Sequence, residues 1–280
     1  MPTAISSFSD LTYNMSQLLD RIKQAVVDAS GILDRPFTVT EKNGASNLVT
    51  TADVALENRL RESLKKILPE AGFLGEEGHC ATDSNLFFVV DPIDGTANFT
   101  RRMNMSAISV GLVKDGEPVL GVIYDPYRDE LFYAEQGEGA YLNGQPIHVS
   151  DRDMSHSLIF TALSLYRREY ASACVRILER VYSGCDDFRR LGSAVLELAY
   201  LCCGRGELYF EARVYPWDVC AALCILREAG GCFASPHFER IDYTHPFSIV
   251  CANSHESLEA LLCVVREEMP ELKDDYLSEK

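Results

Sequence analysis

The chain has 280 residues, of which 47% are hydrophobic, and it carries a formal net charge of −16 at pH 7. This length and apolar content allow one large domain or two of moderate size. The acidic charge argues against general nucleic-acid binding, because a phosphate backbone is itself anionic. A small anionic substrate would also be repelled unless bound cations reversed the local field. The charge therefore hints at metal ions, although a highly acidic soluble surface is the simpler explanation.

No targeting or membrane segment is expected. The first thirty residues contain charged side chains and no uninterrupted apolar core, unlike a secretory signal. No stretch reaches the roughly 18 apolar residues needed to span a bilayer. The ten cysteines are scattered, and their spacing gives no four-ligand zinc set. We therefore expect free thiols in a reducing cytoplasm, mostly buried in apolar runs. Those in apolar runs are Cys202, Cys203, Cys220, Cys224, Cys251 and Cys263.

The N-terminal third predicts two helices joined by a polar loop. Apolar positions at helical spacing predict a helix within residues 11–33. A glycine-containing loop follows at residues 41–47. Thr50 or Thr51 can cap a second helix that runs to about Leu68.

The next segment predicts β-structure. Residues 75–78 predict a turn, and Leu86–Val90 is short and apolar enough to form a buried strand. The hairpin signals Asp115-Gly116 and Asn143-Gly144 separate β-rich runs, so residues 106–149 predict an antiparallel sheet.

The C-terminal half predicts alternating strands and helices. The predicted strands are Leu158–Ala162, Leu208–Glu211 and Phe247–Cys251, and the predicted helices are 167–182, Ser193–Cys203, Trp217–Ala229 and Ser254–Glu268. The acidic tail from Glu267 to Lys280 is expected to fray. Helices that flank two sheets indicate an α/β or α+β layered fold.

Carboxylates stand where predicted strands or turns end. Glu76 and Glu77 lie in the glycine-flanked turn, and Asp91 and Asp94 follow the buried strand directly. Asp218 opens a helix, and Asp53 lies at the start of an earlier one.

The segment Asp91–Thr96 is the most informative of these. A buried strand delivers Asp91, and we expect Pro92 to prevent the sheet ladder from continuing. A tight turn then returns Asp94 to the same side, and the amides of Gly95 and Thr96 point outward, where such amides bind anions. Two carboxylates beside an anion-binding turn attract Mg²⁺, which prefers carboxylates and substrate phosphate oxygens.

Each feature alone has an ordinary explanation. Asp-Pro and Asp-Gly are common turn pairs, Glu76-Glu77 suits a solvated loop, and Asp218 suits a helix N-cap. Two carboxylates also suit glycoside hydrolysis, but the shared-ligand spacing of Asp91 and Asp94 favours metal binding.

In combination these features resemble the inositol monophosphatase family, which belongs to the lithium-sensitive, metal-dependent phosphatases. The matching segments occur in the family's order and cover most of the chain. They are Leu48-Val49-Thr50-x-x-Asp53, Leu74–Glu77, Asp91–Thr96 with Asn98-Phe99, Gly192-Ser193-Ala194, Pro216-Trp217-Asp218 and Glu228–Gly231.

The resemblance implies a layered α-β-α-β-α sandwich, with an antiparallel sheet in the N-terminal half and a second sheet in the C-terminal half. It implies a single phosphatase unit over 1–280. The sub-domain of about 1–150 would hold the metal and phosphate site, and that of about 151–280 would hold substrate-side residues. A homodimer, cytoplasmic location and inhibition by Li⁺ are further expectations from the family.

The resemblance also implies roles for particular residues. Glu76, Asp91 and the carbonyl of Ile93 look like ligands of a first Mg²⁺. Asp91, Asp94 and Asp218 look like ligands of a second, and a third, weaker ion is expected near Glu76. Thr96, Asp53 and Glu76 are the implied catalytic residues, of which Thr96 and Asp53 would orient and deprotonate the metal-activated water. Gly95 and Thr96 would bind phosphate, and the implied substrate-binding residues are Asp94, Gly192, Ser193, Ala194, Glu211 and Asp218.

Two positions depart from the family pattern, Asn47 and Arg213. Asn47 stands where many relatives have Asp. Nearby Lys42 resembles a lysine of the family in a loop that could close over the site. Arg213 stands where small or apolar residues are common; it would either pair with a second substrate phosphate or be an exposed loop charge.

Inositol 1-phosphate is the expected substrate, since Thr96–Phe99 and Glu211 look most like the inositol branch. Relatives with the same core hydrolyse fructose bisphosphate, histidinol phosphate or phosphoadenosine phosphate, and these stay open as alternatives. A partner-binding regulatory protein on the same fold is a further alternative. No nucleic acid or membrane partner is expected.

Overall fold

The computed structural model describes residues 15–41, 48–78, 84–163 and 167–270. The expected loop positions Lys42 and Asn47 lie outside these ranges, as does the tail beyond residue 270. The helices of the described chain are α1 Met15–Ser30, α2 Thr51–Ile67, α3 Thr96–Thr100, α4 Ala171–Tyr182, α5 Ala194–Cys202, α6 Pro216–Glu228 and α7 His255–Glu268. Single 3₁₀ turns stand at Met154–His156 and Arg168–Tyr170. Among the described residues, no helix is both long and apolar enough to cross a membrane.

The strands form three sheets. They are β1 Val39–Glu41, β2 Leu48–Thr50, β3 Gly72–Gly75, β4 Leu86–Asp94, β5 Ala107–Lys114, β6 Glu117–Asp125, β7 Glu130–Glu135, β8 Ala140–Leu142, β9 Gln145–Ile147, β10 Leu158–Thr161, β11 Asp187–Arg189, β12 Leu208–Val214, β13 Cys232–Ala234 and β14 Phe247–Ala252. β1 and β2 form an antiparallel pair. The seven-stranded sheet runs in chain order from β3 to β9, antiparallel except for the β3–β4 pair. The five-stranded sheet has the order β11-β10-β12-β14-β13, with its first three strands parallel.

Helices and sheets alternate in layers, as the fold prediction requires. One apolar cluster joins α1 and α2 to the outer face of the seven-stranded sheet. A second cluster places α5 and α6 between the two sheets, and a third packs α4 and α7 on the far face of the five-stranded sheet. Because α5 and α6 are covered on both sides, almost every α6 side chain is buried.

Local sequence signals explain most element ends. Asp115 and Gly116 both have positive φ, as do Asn143 and Gly144, which is the backbone of a type I′ hairpin. Thr50 caps α2 as predicted, Ser193 caps α5 and Ser254 caps α7. These side chains accept hydrogen bonds from backbone N–H groups that the first helical turn cannot satisfy.

Pro92 does not end its strand, so that prediction was wrong. β4 continues to Asp94, and its pairing with β5 resumes there after a register shift between Asp91 and Asp94. A bulge of this kind lets a proline stand in a strand, because the bulged residues need not donate to the ladder. The bulge also changes the direction of the chain between the two carboxylates.

Two burial predictions were wrong as well. β12 extends to Val214, so Arg213 lies within a strand and is only 5% exposed, rather than being an exposed loop charge. Cys263 is exposed on α7, although it stands in an apolar run.

Helix α6 approaches the seven-stranded sheet unusually closely at two glycines. A Cβ added to Gly121 would lie 2.2 Å from the carbonyl oxygen of Ala221, and one added to Gly111 would lie 2.7 Å from Cys220 Sγ. Because Ala221 is a backbone contact in the second turn of α6, this approach also sets the position of Asp218 at the first turn.

We expect Gly121→Ala to push α6 away from the sheet and to lower the free energy of unfolding by about 1–3 kcal/mol, as overpacking does. Urea denaturation would measure this change. The matched control is Gly137→Ala on the exposed hairpin, where a Cβ meets nothing within 4 Å but φ is +87°. That control reports backbone strain without steric contact. A loss no larger at Gly121 than at Gly137 would contradict the packing argument.

Candidate active site

A cleft of about 110 Å³ opens where the seven-stranded sheet, α5, α6 and β12 meet. It contains nearly all of the residues predicted for the site. Its lining consists of Leu48, Glu76, Asp91, Ile93, Asp94, Gly95, Thr96, Ala97, Ala162, Arg190, Gly192, Ser193, Ala194, Glu197, Glu211 and Asp218. Asp53 lies just behind this lining and is fully buried.

Asp91 lies at the floor of the cleft, and one of its carboxylate oxygens is buried there without a hydrogen-bond donor among the described residues. It is 1% exposed, and within the described structure its Oδ1 has no hydrogen-bond partner. Burial raises the pKa of the Asp91 carboxyl well above its usual value, and the charges of Glu76, Asp94 and Asp218 raise it further. A buried carboxylate oxygen with no donor is costly, so it calls for a cation.

Asp94 is held by the N-terminus of α5. Its Oδ2 accepts hydrogen bonds from the Ser193 hydroxyl and, at 2.9 Å, from the Val195 amide. Burial raises the pKa of the Asp94 carboxyl to about 6, and these hydrogen bonds oppose the rise. One oxygen thus fixes the side chain to a helix, which leaves the other for the cleft.

Asp218 is arranged in the same way at the N-terminus of α6. It is the third residue of the helix, and its Oδ2 accepts from the Tyr215 amide at 2.8 Å. It therefore serves the helix start and lines the cleft at once, so the helix-cap alternative and the site prediction do not exclude each other. Burial, then the charge of Asp94, raises the pKa of the Asp218 carboxyl well above its usual value.

These carboxylates fit a divalent cation. One oxygen from each of Asp91, Asp94 and Asp218 lies within 4.8 Å of the others. Hard cations such as Mg²⁺ take oxygen ligands in such a cluster. Glu76 lines the same cleft, and its charge acts on both Asp91 and Asp218. The carbonyl of Ile93 accepts from the Thr96 hydroxyl at 3.1 Å and also faces the cleft.

Thr96 and Asp53 form the predicted pair. The Thr96 hydroxyl lies 3.3 Å from Asp53 Oδ1. Asp53 Oδ2 is engaged on the other side by the amide and hydroxyl of Thr50, in the capping box of α2. Burial raises the pKa of the Asp53 carboxyl to about 6, against the lowering effect of Thr50. The helix cap thus fixes Asp53 and directs its second oxygen toward Thr96.

Gly95 and Gly192 bring the two halves of the site into contact. Both have positive φ, +85° and +79°, and a Cβ on Gly95 would lie 3.2 Å from the Gly192 carbonyl oxygen. The Asn98 side chain ties the same segments together, donating to the carbonyls of Met105 at 2.8 Å and Leu191 at 2.7 Å. Since α3 begins at Thr96, the amides of Thr96 and Ala97 have no partner within their own helix.

Sequence reasoning missed Glu57, which supports the Glu76 turn. Glu57 is buried on α2, and its Oε2 accepts from the Glu77 amide at 2.7 Å. Burial raises the pKa of the Glu57 carboxyl. The available signal was its place four residues after Asp53 in the same helix, where an acid that is one turn from a site residue faces the same way.

Glu197 was also missed, and it supports the segment that holds Asp94. It is 1% exposed, and its Oε1 accepts from the amides of Leu191 at 2.5 Å and Gly192 at 3.2 Å. Burial raises the pKa of the Glu197 carboxyl to about 8. An acid in the first turn of the predicted helix after Gly192-Ser193-Ala194 was the visible signal.

Glu211 lies in the cleft wall on β12. It is buried, and the Tyr209 hydroxyl donates to its Oε2 at 2.5 Å. Burial raises the pKa of the Glu211 carboxyl to about 7, and Arg190 is among the groups that oppose the rise. Arg213, two residues further along the strand, does not line the cleft; its guanidinium lies 5.9 Å from the Tyr215 ring.

The fold is of the phosphatase type, as the comparison with known families shows. The profile of the inositol monophosphatase family matches residues 10–270. The chain therefore belongs to the inositol monophosphatase family.

Curated relatives carry two kinds of name. An inositol-1-monophosphatase of Rhizobium meliloti is 36% identical over 263 residues, which cover 91% of this chain and 98% of the relative. Nus factor SuhB of Xylella fastidiosa is 41% identical over 180 residues, which cover 64% of this chain and 66% of the relative.

Solved structures agree with the fold. Extragenic suppressor protein suhB of Bartonella henselae superposes with a TM-score of 0.81 at 32% identity, over 90% of this chain and 99% of that one. SaIMPase-II with bound inositol monophosphate superposes with a TM-score of 0.75 at 28% identity, over 95% of this chain and 99% of that one.

The raised pKa of Glu197 predicts a pH-dependent stability. Between the ordinary glutamate value of 4.5 and about 8, the folded state keeps a proton that the unfolded state releases. Stability contributed by protonated Glu197 is therefore present below 4.5 and lost as pH rises through 8. Glu197→Gln keeps the two amide contacts without titrating. As pH rises across this window, we expect the free energy of unfolding of the variant to increase relative to that of the wild type by up to about 1.4 kcal/mol per pH unit.

Urea denaturation of both proteins at pH 5, 6.5 and 8 would measure the difference. Glu138→Gln, on the exposed surface, is the matched control and should run parallel to the wild type. Parallel curves for Glu197→Gln and the wild type would show that Glu197 is not protonated in the fold.

Proposed function

We propose that this protein is a Mg²⁺-dependent phosphatase that hydrolyses inositol 1-phosphate to inositol and phosphate. The observation that carries the proposal is the uncompensated Asp91, surrounded at the cleft floor by Asp94, Asp218 and Glu76. Membership of the inositol monophosphatase family supports the reaction class. The structure with bound inositol monophosphate shows that a relative of the same fold holds this ligand.

We expect two or three metal ions in the cleft. Glu76, Asp91 and the Ile93 carbonyl would hold one Mg²⁺, Asp91, Asp94 and Asp218 would hold another, and a third, weaker ion would lie near Glu76. When bound, these ions would activate water and neutralise charge on the phosphoryl oxygens. The amides of Gly95 and Thr96 would donate to the phosphate, and Gly95 permits the close approach of the backbone.

Thr96 and Asp53 act on the attacking water. The Thr96 hydroxyl has one proton and two acceptors within reach, the Ile93 carbonyl at 3.1 Å and Asp53 Oδ1 at 3.3 Å. When it donates to Asp53, its lone pairs are left to accept a hydrogen bond from water in the cleft. The water oxygen forms a bond to phosphorus as the bond from phosphorus to the inositol oxygen breaks. The water's proton passes through Thr96 to the Asp53 carboxylate, and solvent protonates the leaving alkoxide.

The alcohol is recognised by the opposite wall. Tyr209 occupies one oxygen of Glu211, which leaves the other to accept from a hydroxyl of the polyol. The segment Gly192–Ala194 lines the same space, and Ser193 also fixes Asp94. A homodimer remains our expectation for the assembly.

A phosphate-release panel tests the substrate. We expect release from inositol 1-phosphate that needs Mg²⁺ and falls with Li⁺, and weaker release from fructose 1,6-bisphosphate, histidinol phosphate and 3′-phosphoadenosine 5′-phosphate. Colorimetric phosphate assays with and without each ion would measure this. A much higher kcat/KM for fructose bisphosphate or histidinol phosphate than for inositol 1-phosphate would overturn the inositol assignment.

A second candidate function is partner binding, favoured by the several relatives named Nus factor SuhB. Asp94→Asn separates it from catalysis. Asn can still accept from Val195 and Ser193 but removes a charge from the metal cluster. We expect the variant to stay folded and to lose at least about 10²-fold in kcat, the loss of an electrostatic contribution of several kcal/mol. The control is Asp115→Asn, on an exposed hairpin whose positive φ suits asparagine.

Thermal melts and phosphate release would be measured on both variants, together with a cellular phenotype of a strain lacking the protein. Full rescue by Asp94→Asn would favour the partner-binding role. Failure of rescue, with the fold intact, would favour the phosphatase.

A further inference from the structure

The cleft contains a single cation among the described residues that line it. Arg190 follows β11 and is exposed, whereas the remaining lining is acidic or uncharged. In the described part of the chain, its guanidinium forms no ion pair or hydrogen bond. The neighbouring Arg189 differs, because it pairs with Asp187. An unpaired arginine in the cleft of a chain with net charge −16 is the least expected group there.

Arg190 stands on the alcohol side of the cleft. Its positive charge lowers the pKa of both Glu197 and Glu211, against the larger effect of burial. The groups that act most strongly on Asp91 are instead Glu76, Asp94 and Asp218. The guanidinium therefore lines the same cleft as Glu197 and Glu211 and lies close enough to act on both.

Arg213, which the sequence suggested as a partner for a second phosphate, does not reach the cleft lining. It is 5% exposed, and its charge acts on Glu169 of the 3₁₀ turn at Arg168–Tyr170. Arg190, and not Arg213, is therefore the arginine that is placed to meet a second substrate phosphate.

We propose that Arg190 binds a second phosphate on the alcohol part of the substrate, so that the cleft accepts inositol bisphosphates. This inference rests on the proposed phosphatase function of the same cleft. A guanidinium offers a planar fork of donors that matches phosphate oxygens in pairs. Its charge also offsets the repulsion that the acidic chain would exert on a more highly charged substrate.

The test compares inositol 1,4-bisphosphate with inositol 1-phosphate in Mg²⁺. We expect Arg190→Ala to lower the ratio of their kcat/KM values by about tenfold or more, mainly through KM, since charge-assisted hydrogen bonds are lost. For Arg190→Lys this ratio should lie between those of the wild type and Arg190→Ala, because lysine keeps the positive charge but lacks the planar fork of donors. Arg189→Ala, outside the cleft lining, should leave the ratio at its wild-type value.

Binding of the same two ligands is also measured by calorimetry on Thr96→Ala, with and without Arg190→Ala. The ratio of the Kd values for the two ligands should differ between Thr96→Ala and the double variant by a similar factor. An unchanged ratio in both assays would overturn the role of Arg190 while leaving the phosphatase proposal intact. Absence of phosphate release from every substrate would overturn the phosphatase proposal, and the calorimetric ratio would still decide the role of Arg190.

Discussion

The mutual repulsion of Asp91, Asp94 and Asp218 is the constraint on which the site depends. Their facing oxygens lie within 4.8 Å in a buried space, where an unpaired charge is far more costly than at the surface. Asp94 and Asp218 each use one oxygen to accept from the start of a helix, whose positive end stabilises a carboxylate. Asp91 has no such helix, so part of the repulsion remains for a cation to remove.

Both halves of the chain are needed to hold these three carboxylates together. Asp91 and Asp94 come from β4, whereas the helix starts that hold Asp94 and Asp218 belong to α5 and α6. Those helices lie between the two sheets, so the packing of either sheet bears on the site. The backbone of Gly95 meets that of Gly192 at the junction, and a larger residue at either position would separate the halves. The carboxylate cluster is thus a product of tertiary packing, although each of its members belongs to a short local motif.

Local signals predicted much of the fold, and tertiary effects account for the rest. Hairpins such as Asp115-Gly116 and capped helix starts such as Ser193 were visible because their geometry depends on neighbouring residues alone. The short strands β11 and β13 were missed, since three residues carry too little pattern and take their conformation from the strands beside them. Arg213 was read as a possible surface charge because nothing local shows that β12 extends beneath it. Glu197 reaches the site through the packing of α5 against β12, and Arg190 reaches it through the pairing of β11 with β10 beside β12.

The phosphate end and the alcohol end of the cleft depend on different elements. The carboxylate floor is fixed by β4 and the starts of α5 and α6, which carry the residues of the proposed metal site. The opposite wall, with Arg190, Glu197 and Glu211, comes from the end of β11, the first turn of α5 and β12. Arg190 and Glu211 on that wall can change without removing an expected metal ligand, whereas Glu197 supports the segment that holds Asp94. The fold could therefore keep one reaction while residues such as Arg190 and Glu211 change the alcohol. Under the proposed function, this acidic protein would attract an anion at two places, through cations at the floor and through Arg190 at the wall.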